Sequence, residues 1–120
     1  MILVDTNAWV SHLRRKDPRL VAFLSEQRVR TSDVVLGELQ LGAGLPKTLF
    51  DDLAALPSLP SPSAAETRAF IERYRRRFAG SGVGWADAQI ILTAVKSGAR
   101  LYTSDRAVRR VCTALALRLA

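Results

Sequence analysis

Residues 1–4 are apolar without a break, and the run stops abruptly at Asp5-Thr6-Asn7. A short run without alternation suits a central parallel strand covered on both faces. Trp9, Val10 and Leu13 then recur at helical spacing, and Asp17-Pro18 sets an N-cap before a proline at the first helical position, predicting a helix over 17–27. A short second strand is expected over 28–31. Helices follow over 33–42, stopped by Gly42-Ala43-Gly44 and Pro46, and over 47–55. Residues 56–62 contain Pro57, Pro60 and Pro62 and read as an extended connection with room for a short strand.

Ser63 and Glu66 form a capping box that opens a helix reaching Phe78, with Phe70, Ile71, Tyr74 and Phe78 inward and Arg68, Glu72, Arg75 and Arg76 outward. The glycines of 80–84 break it. A further helix over 85–97 ends at Gly98, followed by a strand over 101–103, a helix over 106–112 and an edge strand over 115–119. Strands alternating with helices predict an α/β fold with a mainly parallel sheet, and 120 residues suit one domain over 1–120.

Composition narrows the classes. Hydrophobic residues at 48% exclude a disordered chain, and no apolar run approaches the roughly 18–20 residues of a membrane span. Without a recognisable signal peptide, a cytoplasmic protein is expected. Cys112 is unpaired by arithmetic and reads as a small buried hydrophobe. The net charge is +7, and fifteen of the eighteen cations are arginine. Guanidinium forks match phosphate, which favours a polyanionic partner, although coding bias produces the same composition.

With only eleven acids, each can be asked for a structural role. Asp17 and Glu66 cap helices, Glu72 pairs with neighbouring arginines, and Glu26, Asp33, Asp51 and Asp52 read as surface charge or helix openers. Glu38 is different: Val34, Val35, Leu39, Leu41 and Gly42 surround it on an apolar helical stripe. Asp87 has Gly84 before it and Ile90, Ile91 and Ala94 after it on one face. A lone carboxylate on such a face is costly unless paired, protonated or bound to a metal. Asp5 and Asp105 each follow a strand and precede a helix, so each reads either as an N-cap or as a site residue at the carboxyl edge of the sheet. Four carboxylates gathered there repel by roughly 4 kcal/mol per pair at 4 Å. Such a cluster makes sense as a cage for hard divalent cations, Mg²⁺ or Mn²⁺.

Val4-Asp5-Thr6-Asn7, Glu38-Leu39 within 34–42, Asp87-Ala88-Gln89-Ile90-Ile91 and Tyr102-Thr103-Ser104-Asp105 resemble, in order and spacing, the PIN-domain ribonucleases, and most closely the VapC-type toxins of toxin–antitoxin pairs. The resemblance covers essentially the whole chain, and its only departure is a slightly short carboxyl end. It implies a PIN-like three-layer sandwich and a Mg²⁺- or Mn²⁺-dependent endoribonuclease. Asp5, Glu38, Asp87 and Asp105 match the family's acidic positions and would hold the metal. Thr103 matches a hydroxyl that supports the site, and Asn7 a polar residue that orients Asp5. A cognate antitoxin and a homodimer are implied as well. A catalytically silent RNA- or protein-binding module on the same fold is the rival. A haloacid-dehalogenase-like phosphatase is disfavoured because Asn7 stands where it needs a second acid. A receiver domain is disfavoured because it needs adjacent N-terminal acids and a late lysine.

Metal-dependent hydrolysis needs no 2′-hydroxyl and leaves a 5′-phosphate and a 3′-hydroxyl, so RNA preference rests on binding contacts. Arg68, Arg75 and Arg76, with Arg73 and Arg77 beside them, and the cluster Arg14-Arg15-Lys16, read either as phosphate contacts or as solvated helix faces. Trp85 reads as a base-stacking surface or as packing at a helix start. The glycines of 80–84 read as a hinge, and His12 as structural or surface. Trp9, Val10 and Leu13, with Leu45, Leu49, Phe50 and Leu53, either line a groove for the antitoxin or pack together as core.

Overall fold

The computed structural model describes residues 1–42 and 44–120; Ala43, part of the predicted helix stop, lies outside them. Three short strands, β1 (Ile2–Val4), β2 (Val29–Arg30) and β3 (Arg100–Tyr102), form a parallel sheet in the order β2-β1-β3. Ile2, Leu3 and Val4 are each 0% exposed, although successive side chains of a strand point to opposite faces. Both faces of the central strand are therefore covered, as the unbroken apolar run requires. The helices among the described residues are α1 (Thr6–Arg14), α2 (Pro18–Ser25), α3 (Asp33–Gly42), α4 (Lys47–Ala54), α5 (Ala64–Arg73), α6 (Arg75–Phe78), α7 (Trp85–Ser97) and α8 (Arg106–Ala114). None is long and apolar enough to cross a membrane.

The expected sheet margins shrink to single bridges. Thr31 pairs with Ser58 beyond β2, and Leu101 with Leu119 beyond β3, both parallel. The expected strand over 115–119 is thus one bridge. The Leu117 amide is held by the Cys112 carbonyl at 2.8 Å, and Ala116 takes a φ of 55°, so the chain turns over the end of α8 before it reaches the sheet.

The helix expected from Ser63 to Phe78 starts as predicted, with both capping-box bonds at 3.0 Å. It breaks at Tyr74, whose φ and ψ of −112° and 30° leave the helical region. Arg73, Arg75, Arg76 and Arg77 crowd like charges at helical spacing, which opposes a straight continuation. The break turns Phe78 into the core, where its ring meets Phe70 edge-on at 5.5 Å. Two glycines with positive φ, Gly80 at 70° and Gly82 at 85°, then carry the chain to α7 without the strain other residues would incur.

Leu3 stands at the centre of this packing with Ile90, Ile91, Leu101 and Val108, all nearly or fully buried. Leu3→Ala is expected to lower the unfolding free energy by about 2–5 kcal/mol, read from chemical denaturation midpoints. Cys112 is buried too, and its burial pushes the thiol up to about 11, so it serves as packing and not as a nucleophile.

Candidate active site

Parallel pairing sets the site. Val4 stands opposite Tyr102, and the Asp5 amide donates to the Tyr102 carbonyl at 2.9 Å. Asp5 and Thr103 therefore leave the carboxyl edge of the sheet side by side. The Thr103 hydroxyl donates to Asp5 Oδ2 at 2.6 Å and accepts from the Asp105 amide at 3.1 Å. Packing of α1 on α3 brings in Glu38, whose Oε1 accepts from the Thr6 hydroxyl at 2.7 Å. An unbroken hydrogen-bonded path thus joins three acids. It runs from Glu38 through Thr6, Asp5 and Thr103 to Asp105.

Capping and site geometry turn out to be compatible, because a carboxylate has two oxygens. Asp5 Oδ1 accepts from the Thr6 amide at 2.7 Å, while its Oδ2 faces Thr103. Asp105 Oδ1 caps α8 by accepting from Ala107 and Val108 at 2.8 and 3.1 Å, and its Oδ2 accepts from Asn7 Nδ2 at 3.4 Å. Asn7 was expected to orient Asp5. It contacts Asp105 instead, since the first turn of α1 carries its side chain toward α8 and leaves Asp5 to the Thr6 amide and Thr103.

Asp87 occupies the first turn of α7, where its Oδ2 accepts from the Gly84 amide at 3.2 Å. No hydrogen bond among the described residues ties it to the other acids; its link is electrostatic. Burial raises the Asp5 carboxyl to about 6 against the lowering bond from Thr103, and the charges of Asp87 and Glu38 push it the same way as burial. Asp87 is raised as well, first by burial and then by the charge of Asp105, against the Gly84 bond. Asp5 is 2% exposed, whereas Glu38, Asp87 and Asp105 are half-buried. The starts of α1, α7 and α8 each present an acid here, and their dipoles offset part of the mutual repulsion. Among the described residues no three acids, histidines or cysteines form a ready-made metal cage. The donors are all oxygen, and the most buried of them carries a raised pKa beside other carboxylates. Donor type and charge therefore fit a hard divalent cation.

Thr6 and Arg109 went unnoticed in the sequence. Arg109 Nη1 reaches the Thr103 carbonyl at 3.4 Å from one turn into α8. Thr6 had a signal available, since it lies inside the same motif as Asp5, but nothing in its spacing to Glu38 across 32 positions announces the contact. His12 is structural: its Nδ1 accepts from the Asp17 amide at 3.0 Å, and its ring meets Trp9 edge-on.

The arginines of α5 and α6 divide. Arg75 lies 3.8 Å from Glu72 and lines a hollow with Trp85 and Gly84, the residue whose amide donates to Asp87. Arg68 and Arg76 are exposed, and among the described residues no ion pair or hydrogen bond joins them to the carboxylates. The predicted groove also divides. Trp9 and Leu53 are core, at 2% and 7% exposed. Val10, Leu13, Leu45 and Leu49 line a groove of about 360 Å³ between α1 and α4, with Arg14 at its side. Leu41 on α3, 92% exposed, adds apolar surface that the periodicity had turned inward.

The chain matches the PIN domain model over residues 2–114. It is 36% identical to Ribonuclease VapC32 of Mycobacterium tuberculosis over 122 aligned positions, covering 100% of this chain and 97% of the relative. Among solved structures, VapBC-1 from nontypeable Haemophilus influenzae superposes with a TM-score of 0.71 at 21% identity, covering 100% of this chain and 97% of that one. FitAcB from Neisseria gonorrhoeae superposes with a TM-score of 0.62 at 23% identity, covering 99% and 96%. The family model and the full-length relative, on a parallel sheet of this topology, make the chain a member of the PIN-domain family in its VapC branch.

Proposed function

We infer that this chain is a metal-dependent endoribonuclease toxin, one PIN domain over residues 1–120, neutralised by a cognate antitoxin. The observation that carries the nuclease reading is Asp5, buried to 2% exposure and raised to about 6 among other carboxylates. Protonation or a bound cation relieves so unfavourable a group, and the neighbouring carboxylates supply further oxygen ligands for the second. The relative named as a ribonuclease supports RNA as the substrate, and the VapBC-1 and FitAcB structures support a two-component assembly.

Asp5, Glu38, Asp87 and Asp105 would hold Mg²⁺ or Mn²⁺. When bound, the metal supplies an activated water and stabilises the leaving oxygen of an in-line phosphodiester displacement. The chain's own residues position the ligands. Thr103 fixes Asp5 Oδ2 and the Asp105 backbone, Thr6 holds Glu38, and Asn7 steadies the free oxygen of Asp105. Beyond the four acids the chain carries a charge of +11, which draws an RNA backbone toward the negative pocket at low salt. Of the three arginines proposed for RNA, Arg75 would take this role from the hollow it shares with Gly84, and Arg68 and Arg76 would act at longer range through charge. The protein is expected in the cytoplasm, as a homodimer.

Purified protein should cleave RNA with Mg²⁺ or Mn²⁺ and lose the activity in chelator. Tight RNA binding without cleavage would favour the silent-module reading instead. The groove between α1 and α4 is assigned to the antitoxin. Leu49→Asp is expected to weaken inhibition by the product of the adjacent gene by roughly tenfold or more, with RNA cleavage unchanged. Unaltered inhibition by that product would move the antitoxin to another face.

A further inference from the structure

Trp85 is 45% exposed, and it is the one aromatic among the exposed large hydrophobic side chains of the described residues. Packing at the start of α7 therefore accounts for only part of its surface. The indole borders a hollow of about 290 Å³ floored by Ile71, Phe78, Val83 and Ala88, with the Arg75 side chain at its edge. The side chains of Arg75 and its neighbour Glu72 are both 73% exposed, so their 3.8 Å pair is a weak, solvated one that leaves the guanidinium free to engage a stronger anion. Gly84 belongs to this hollow and also donates its amide to Asp87 Oδ2, so one residue joins the hollow to the nearest of the four acids in sequence.

We propose that Trp85 and Arg75 form a subsite for single-stranded RNA next to the carboxylates, Trp85 stacking an unpaired base and Arg75 contacting its phosphate. The proposal rests on the ribonuclease reading and adds the residues that hold the strand. An aromatic face beside a cation, at the border of a positively charged surface, matches how single strands are bound without reading their sequence. A duplex cannot offer an unstacked base to this face. The subsite therefore selects unpaired segments, which gives a nuclease chemistry indifferent to the 2′-hydroxyl a source of substrate choice.

The chain's two tryptophans make the test direct, because Trp9 is buried against His12 and Trp85 alone can meet RNA. In chelator, a short single-stranded RNA should quench tryptophan emission saturably, and Trp85→Phe should remove that quenching. Trp85→Ala should bind fluorescently labelled RNA roughly tenfold more weakly, and Trp85→Phe should restore most of the affinity. With metal, Trp85→Ala should raise KM for a single-stranded substrate far more than it lowers kcat. Emission indifferent to RNA, or unchanged binding by Trp85→Ala, overturns the proposal while leaving cleavage to be judged by the wild-type assay. Emission that shifts on dilution of the protein alone overturns it in favour of a second copy on this face. Saturable quenching without any metal-dependent cleavage supports the subsite and rejects the nuclease reading beneath it.

Discussion

Asp5→Asn is expected to reduce metal-dependent RNA cleavage by at least about 100-fold while the metal-free protein melts at the same temperature or higher. Loss of residues that merely orient ligands typically costs 10–100-fold, and Asp5 is the most buried of the proposed ligands themselves. The amide keeps an oxygen for the bond from the Thr6 amide, and the Thr103 hydroxyl can turn to accept from the new nitrogen. What disappears is a charge opposed by burial and by Asp87 and Glu38. Cleavage assays and thermal melts in chelator, on the same two proteins, read both halves. A fully active Asp5→Asn protein would show that the carboxylate is not needed for the chemistry.

Acidity should act on stability and activity in opposite directions. Asp5 has a folded pKa of about 6 against an unfolded value of 3.8, so the protonated form is the one the fold prefers. Its stabilising contribution is fully present below the unfolded value and is lost as pH rises through about 6. Metal-free protein should therefore gain on the order of 2–3 kcal/mol from this group between pH 7 and pH 4, set against whatever other acids lose over the same range. Asp5→Asn should remove that gain, which isolates it. Metal binding needs the ionised carboxylate, so at subsaturating Mg²⁺ or Mn²⁺ cleavage should fall about tenfold per pH unit below about 6. Saturating metal should move the midpoint downward. Denaturation curves and initial rates over the same buffers test both trends.

Glu38 and Asp87 stood out because an acid is costly on an apolar helical stripe, and α3 and α7 do leave both half-buried, although Asp87 also accepts from the Gly84 amide at the start of its helix. Asp5 and Asp105 were ambiguous for a physical reason: one carboxylate oxygen caps a helix while the other remains for the site. Periodicity and chain order identified the parallel sheet, the capping box at Ser63 and the bounds of α7. Contacts set by the relative placement of distant elements were not legible. Thr6 on Glu38 and Asn7 on Asp105 depend on how α1 lies against α3 and α8. Periodicity also treated Trp9 and Val10 alike, whereas a rotation of one residue along α1 buries the first and leaves the second in the groove. The break at Tyr74 was missed because the apolar spacing of Phe70, Tyr74 and Phe78 continues through it, and only the crowded arginines hinted at it.

The most direct measurement is the end chemistry of RNA fragments produced by the purified protein, with Mg²⁺ or Mn²⁺ and with chelator. Metal-dependent hydrolysis at the Asp5, Glu38, Asp87 and Asp105 site should give 5′-phosphate and 3′-hydroxyl ends, and none in chelator or with Asp5→Asn. Cleavage that persists in chelator and leaves 2′,3′-cyclic phosphate ends would contradict the four-carboxylate mechanism.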